Sequence, residues 1–430
     1  MKTLRIAVAG LGNVGLGVLS LLRANRDVIA SRTGCFLDVV AVSARDRTKD
    51  RGISFDSMKW LDHPSLLAEL PEVDVVVEAI GGENDPALSL VQKALAAGKD
   101  VVTANKALLA HHGKDLACAA EKAGKSLKFE AAVAGGIPLI KMLREGLAAN
   151  RISGLYGILN GTCNYILTSM EASGRSFGDV LSEAQKQGYA EADPTLDIDG
   201  GDTAHKLCLL TSLVFGVSPD LPELSVQGIR RISLADIRAA SELGYSIKLL
   251  GCAFQESGGE IFRFVGPAMV PLASPLSHVT GAMNAVSMMG DFIGPSFIEG
   301  KGAGAGPTAS AIVADLIDLA MGRKTPVFGL PVANLQKASW ASVAAWGGKF
   351  FLRVEVKDQV GVIADLAKIL RDEGISIETL VQKAQAVNQP VVVLITTHDT
   401  TWGQIDLAMA RVGQLGSVAG PPLVLPMLNI

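Results

Sequence analysis

The feature that most constrains this chain is where its first three glycines fall. Leu4 to Ala9 is a short apolar run with β-branched members, and it ends directly in Gly10-Leu11-Gly12-Asn13-Val14-Gly15. Val18, Leu19, Leu21 and Leu22 then recur at helical spacing. In a strand, turn and helix of this kind, the first glycine permits a tight turn and the second lets backbone approach a pyrophosphate. The third lets the helix pack on the strand. Asn13 and Val14 open the helix, where the dipole favours an anion. A dinucleotide-binding domain is therefore expected at the amino terminus; an ordinary glycine-rich βα turn is the bland alternative.

A second strand, Leu37 to Val42, runs into Ser43-Ala44-Arg45-Asp46-Arg47. An NAD-selective site places an acid near the end of this strand to meet the ribose hydroxyls. Here Arg45 stands close to that position, and a guanidinium there would hold a 2′-phosphate. NADP is the expected cofactor and NAD the alternative; a solvated basic loop is the reading without function. Asp74–Ile80 and Asp100–Ala104 read as further buried parallel strands, the second ending in Asn105-Lys106. Ligands of open α/β sheets sit beyond the carboxyl ends of strands, which is where Lys106 falls.

Composition narrows the class. At 430 residues, 49% hydrophobic and 19% charged, the chain has enough apolar surface for two or three packed domains and too little charge for disorder. The net charge of -4 and the lack of a basic run argue against a nucleic-acid partner. No stretch is long and apolar enough to span a bilayer, so no membrane association is expected. Five scattered cysteines without CxxC spacing suit reduced thiols and a cytoplasmic protein.

The middle of the chain carries the chemistry. Phe129 to Leu139 is a run of small residues around one carboxylate, Glu130. Asn160-Gly161-Thr162-Cys163-Asn164-Tyr165 reads as a turn that opens a helix. Gly188 to Asp202 then holds five carboxylates, and Lys206 follows Asp202 by four residues. That spacing puts Asp202 and Lys206 on one helix face, one turn apart. From Leu207 to Phe215 the same helix is apolar nearly all round, which marks it as buried. A helix-end ion pair is the bland account. The surrounding carboxylates favour a site for a charged amino acid.

These strings together resemble homoserine dehydrogenase. They are GLGNVG at the start, TANKALLA at 103–110, EAAVAGGIPLI at 130–140, NGTCNYIL at 160–167 and EADPTLDIDGGDTAHKL at 191–207. PLASPLSHVTGAMNAV at 271–286 and GAGAGPTASAIVADL at 302–316 extend the likeness, which runs to about residue 330. Cys163 stands where the family pattern has threonine. The resemblance implies the monofunctional form, for which no kinase segment is expected ahead of residue 1. It implies NAD(P)H-dependent reduction of aspartate 4-semialdehyde to homoserine, on the route to threonine, isoleucine and methionine. It further implies Lys206 as proton donor, Lys106 as a second active-site lysine near nicotinamide and substrate, and Glu191, Asp197 and Asp202 as the substrate pocket. Gly306 would touch the cofactor. Glu130, Val133, Gly135 and Ile137 would surround a sodium ion.

After a less patterned stretch, Phe350 to Val356 alternates like a half-buried strand, and βαββαβ spacing follows to the end. That part resembles an ACT domain, with Asp358 and Gly361 kept in its turn and Val360 in place of the usual proline. Threonine is the effector such a module implies; a purely dimerising domain is the alternative. The expected fold is α/β: a Rossmann-type domain over 1–132, completed by about 303–325, and an α+β substrate and dimerisation domain over 133–302. A linker over 326–349 and a ferredoxin-like regulatory domain over 350–430 would follow, in a homodimer or homotetramer. Another amino-acid dehydrogenase on the same scaffold and a non-catalytic metabolite sensor are the rival readings.

Overall fold

Six short strands make a wholly parallel sheet at the amino-terminal end: β1 (Lys2–Ala9), β2 (Cys35–Ser43), β3 (Lys59–Leu61), β4 (Val75–Glu78), β5 (Asp100–Thr103) and β6 (Leu127–Lys128). The computed structural model describes residues 1–222, 224–383 and 390–430, and the chain divides into two compact units. The first comprises Met1–Ser153, Ala204–Glu223 and Ser287–Ala338. Its strand order is β3-β2-β1-β4-β5-β6, with the topological reversal between β1 and β4. Ile6 to Ala9 and Val75 to Val77 are wholly buried, as strands covered by helices on both faces must be. Val18, Leu19 and Leu22 of the helix Asn13–Ala24 share one core with Ile312 and Leu316 of the helix Ala305–Ala320. Each such aliphatic side chain contributes about 1.5–3 kcal/mol relative to exposure. Gly17 makes the close helix approach feasible, because a Cβ there would lie 2.7 Å from the Ala305 carbonyl oxygen.

A buried ionic cluster ties the other end of that second helix to the sheet. Asp318 is fully buried, and Lys141, Arg323 and Lys128 stand 2.7, 3.2 and 3.5 Å from its carboxylate. Burial alone would raise the Asp318 carboxyl. The Lys141 hydrogen bond and the charges of Lys128 and Lys141 outweigh it and hold the group below its ordinary range.

The second unit comprises Gly154–Thr203, Leu224–Val286 and Ser339–Ile430. The remaining strands are β7 (Ile152–Ile158), β8 (Ser225–Val226), β9 (Tyr245–Gln255), β10 (Ile261–Pro271), β11 (Met283–Gly290) and β12 (Gly294–Lys301), then β13 (Gly347–Val356), β14 (Ile377–Lys383), β15 (Val391–Thr397), β16 (Thr400–Thr401) and β17 (Leu423–Met427). β9 and β10 form a long antiparallel pair buried along nearly all its length. The carboxyl-terminal module has the expected βαββαβ order, with strands β17-β13-β15-β14 and helices Val362–Asp372 and Trp402–Val412. It is not a separate body hung on a linker. β17 joins β10 at Met427 and Met269, and the Phe264 ring of β10 packs 4.9 Å from Trp402. Phe350 and Trp346 pack edge-to-face into the same aromatic cluster, so the module and β10 bury one core. Among the described residues no helix is long and apolar enough to cross a membrane.

Candidate active site

Each glycine of the turn after β1 has its own structural reason. Gly10 has φ +94°, and a Cβ there would lie 2.4 Å from the Ala79 carbonyl oxygen. A Cβ on Gly15 would lie 1.9 Å from the Gly10 oxygen, so only glycine lets the helix start against the strand. Gly12 is different: nothing stands within 4 Å of its missing side chain. That open space, at the start of the Asn13–Ala24 helix, is where phosphate would meet backbone N–H groups. Asn13, Gly17, Ala305 and Gly306 line one groove, so Gly306 returns to the turn from almost three hundred residues away.

Around the turn, Arg51 donates to the Leu11 carbonyl at 3.3 Å and lies over the Trp60 ring. The sequence reading did not single it out. Arg45 and Arg47 are exposed on the loop after β2, whose final residue is Ser43. The one acid between them, Asp46, is committed locally, accepting from the Thr48 N–H and hydroxyl at 2.8 and 2.7 Å. At the ends of β4 and β5, buried Glu78 accepts from the Thr103 hydroxyl at 2.5 Å and from the Ile80 and Gly81 N–H groups. Asn105 caps the helix Lys106–Ala123 through Leu108 N–H and donates to the Gly82 carbonyl at 2.6 Å. Lys106 is thereby fixed as the first residue of a helix at the carboxyl edge of the sheet.

Lys206 lies in the helix Gly201–Phe215 and is 8% exposed; Asp202, one turn earlier, is 3% exposed. The charged turn is buried, as the apolar surroundings in sequence require. Neighbouring His205 meets His111 of the Lys106–Ala123 helix edge-on, at 5.6 Å, so the helices that carry the two lysines touch. His111 in turn stands 2.9 Å from Glu83 in the loop after β4.

In the second unit, Asn160 joins two of the carboxylates. Its carbonyl oxygen caps the helix Gly161–Ser173 by accepting from Cys163 N–H at 2.8 Å. Its amide then donates to Asp197 at 2.7 Å and to Asp202 at 2.8 Å. Thr162 donates to the Tyr189 carbonyl at 2.7 Å and approaches the other Asp197 oxygen at 3.3 Å. Asp197 sits in the short helix Thr195–Ile198. Glu191 is exposed on the loop before it, with its backbone carbonyl held by Gln185. The Asn-Gly-Thr string was legible as a helix start. That its amide would bridge residues 37 and 42 positions later was not. On the expectation that Asp197 and Asp202 bind the amino-acid substrate, Asn160→Ala should raise that substrate's KM by about 10- to 100-fold and leave the cofactor KM unchanged, since two hydrogen bonds to charged groups are lost. Steady-state kinetics with each substrate varied would check it.

Glu130 is buried, and its carboxylate accepts from the Ile140 and Lys141 N–H groups at 3.0 and 2.8 Å, while its own N–H donates to Asp315 at 2.8 Å. Burial, with the Asp315 charge, pushes its carboxyl up to about 7. Val133, Gly135 and Ile137 follow in a buried loop with Ala134 at φ 57° and Gly135 at φ 45°. A Cβ on Gly135 would meet the Gly302 oxygen at 2.3 Å, which holds that loop against the segment leading to Gly306.

The family model for the homoserine dehydrogenase NAD-binding domain matches residues 10–130, and that for homoserine dehydrogenase matches residues 138–317. The homoserine dehydrogenase of Pseudomonas aeruginosa is 42% identical over 98% of both chains, and that of Neisseria gonorrhoeae is 41% identical over the whole of both. The crystal structure of a homoserine dehydrogenase from Thiobacillus denitrificans superposes with a TM-score of 0.92 at 41% identity, covering 100% of this chain and 99% of that one. A hyperthermophilic archaeal homoserine dehydrogenase solved with NADPH is 25% identical, covering 76% of this chain and 100% of that one, with a TM-score of 0.63. With a parallel-sheet nucleotide unit, a glycine turn open at Gly12 and relatives alike from end to end, this chain belongs to the homoserine dehydrogenase family of nicotinamide-dependent oxidoreductases.

Proposed function

We propose that the chain interconverts L-aspartate 4-semialdehyde and L-homoserine with NADP, in the synthesis of threonine, isoleucine and methionine. The observation that carries the reading is the Asn160 clamp on Asp197 and Asp202, with Lys206 one turn beyond Asp202 on the same helix. Asp197, Asp202 and Glu191 receive the substrate ammonium, and the Asn160 amide holds two of these carboxylates by one hydrogen bond each. The nicotinamide, when bound, supplies or accepts hydride at the carbonyl carbon. Lys206 gives its proton to the oxygen as the alkoxide develops, and Lys106 adds positive charge beside it. In the direction of oxidation Lys206 takes the hydroxyl proton back.

Three features favour NADP: Ser43 in place of an acid, Asp46 spent within its own loop, and Arg45 and Arg47 exposed beside it. The carboxyl-terminal module reads as an ACT-type regulator that takes threonine at the turn before the Val362–Asp372 helix. Gly361 there has φ +96°, and Val360 is fully exposed. One experiment addresses both points: homoserine oxidation is assayed with NADP and with NAD, each with and without threonine. Faster turnover with NADP and inhibition by threonine are expected; equal rates would reject the 2′-phosphate reading, and indifference to threonine the regulatory one. Deleting the module would not serve, because β17 is paired to β10.

Glu130, with the carbonyls of Val133, Gly135 and Ile137, is proposed to hold a sodium ion. A buried carboxylate pair, Glu130 and Asp315, is a setting in which a hard cation relieves repulsion. Exchange of sodium for choline should then lower the melting temperature. Self-association as a dimer or tetramer is proposed through the β11–β12 hairpin, where Phe292 is 91% exposed beside Ile293 and Met289. A monomer in sedimentation velocity would reject it.

A further inference from the structure

Residues 228–231 touch, on one side, the short helix that carries Asp197. The Ile229 N–H donates to the Ile198 carbonyl at 2.8 Å. Gly228 lies so near that a Cβ would stand 2.4 Å from the Ile198 oxygen and 2.6 Å from the Asp199 Cα. Arg230 grips the Asp199 carboxylate with two nitrogens, and its Nη2 reaches the Thr195 hydroxyl at 3.2 Å. Thr195 and Asp199 flank Asp197 on either side, so this stretch holds the helix before and after the carboxylate.

The next residue reaches the other way. Arg231 Nη2 donates to the carbonyl of Pro421 at 2.7 Å and to that of Pro422, the two residues before β17. The Arg231 carbonyl accepts from Arg353 of β13 at 3.2 Å, and Arg353 stands 2.9 Å from the fully buried Asp236. Upstream, β8 pairs with β10, and the Gln227 N–H donates to the Val265 carbonyl at 2.8 Å. The Arg230–Asp199 ion pair is solvent-exposed and contributes little on its own. The firmer contacts involve backbone: a hydrogen bond at Ile229, the close approach at Gly228, and the Pro421 and Pro422 carbonyls that accept from Arg231.

We propose that residues 228–231 are a positioning strap that sets where the Asp197 carboxylate stands, so that the arrangement of the carboxyl-terminal module is read out as affinity for the amino-acid substrate. This rests on Asp197 as a substrate-binding carboxylate, and the test separates the two claims. Asp197→Asn alone should raise the homoserine KM, which checks the underlying role. Arg231→Ala should raise that KM by about three- to tenfold, the worth of one or two hydrogen bonds, with kcat and the NADP KM unchanged. Arg231→Lys keeps a cationic donor for the proline carbonyls and should recover most of the loss. Gly228→Ala, which disturbs no charge, should shift the homoserine KM in the same direction by pressing on Ile198 and Asp199. In the Asp197→Asn background neither change should add further. An unchanged KM in Arg231→Ala and Gly228→Ala, a fall in kcat equal to the rise in KM, or full additivity with Asp197→Asn would overturn the strap while leaving the role of Asp197 intact.

Discussion

Lys206→Ala is expected to lower kcat for homoserine oxidation by about a thousandfold, since the role proposed for it combines general acid–base catalysis with a charge beside the developing alkoxide. Cofactor affinity should hold, because the proposed pyrophosphate contacts are made at Gly10 to Gly15 and Gly306, away from residue 206 in the sequence. The side chain is 8% exposed, so water is a poor substitute for it. Lys206→Arg distinguishes the two contributions: a guanidinium keeps the charge but does not surrender a proton near neutral pH. If charge alone mattered, arginine would restore much of the rate. On the present reading it stays nearly as slow as alanine. Steady-state turnover paired with NADPH fluorescence titration measures both quantities, and a kcat within about tenfold of the parent would remove Lys206 from the proton transfer.

The largest effect on stability is expected at Asp318→Ala. Its carboxylate answers Lys128, which is 1% exposed, and Lys141, so its loss strands a buried ammonium. Breaking one side of such a pair costs about 3–5 kcal/mol. The Asp318 carboxyl is held below its ordinary range in the folded chain. Its stabilisation is therefore complete above the unfolded value, about pH 4, and fades as pH falls through the lower folded value. Urea unfolding at neutral pH should show the deficit, and the alanine variant should lose less on further acidification than the parent. A midpoint shift worth under about 1 kcal/mol would mean the cluster relaxes onto other partners. The consequence reaches function, because Asp318 anchors the helix whose first residues, Ala305 and Gly306, line the groove at the glycine turn.

How much of this was legible differs from residue to residue. Gly10, Gly12 and Gly15 were readable because strand, turn and helix are contiguous: Gly15 meets Gly10 within that motif and Gly12 leaves space for a ligand, whereas the approach of Gly10 to Ala79, 69 residues on, was not readable. The burial of Asp202 and Lys206 was readable from the apolar run that follows them. The βαββαβ spacing of the last eighty residues was readable too. Its fusion to β10 was not, since Met427 meets Met269 through a pairing that no local pattern encodes. Arg51 escaped notice for a similar reason: its partner is Leu11, forty residues earlier.

Periodicity and turn chemistry, properties of neighbours in the chain, were enough to declare a nucleotide-binding unit, an acidic segment leading into a buried helix, and a small α/β module at the end. The fold alone decided that one asparagine amide would hold two distant carboxylates, that Asp318 would answer three cations, and that Arg230 and Arg231 would reach in opposite directions. The reason is physical. Hydrogen bonds and ion pairs act over a few ångströms, and which distant groups come within that reach is fixed only when the sheets and helices pack.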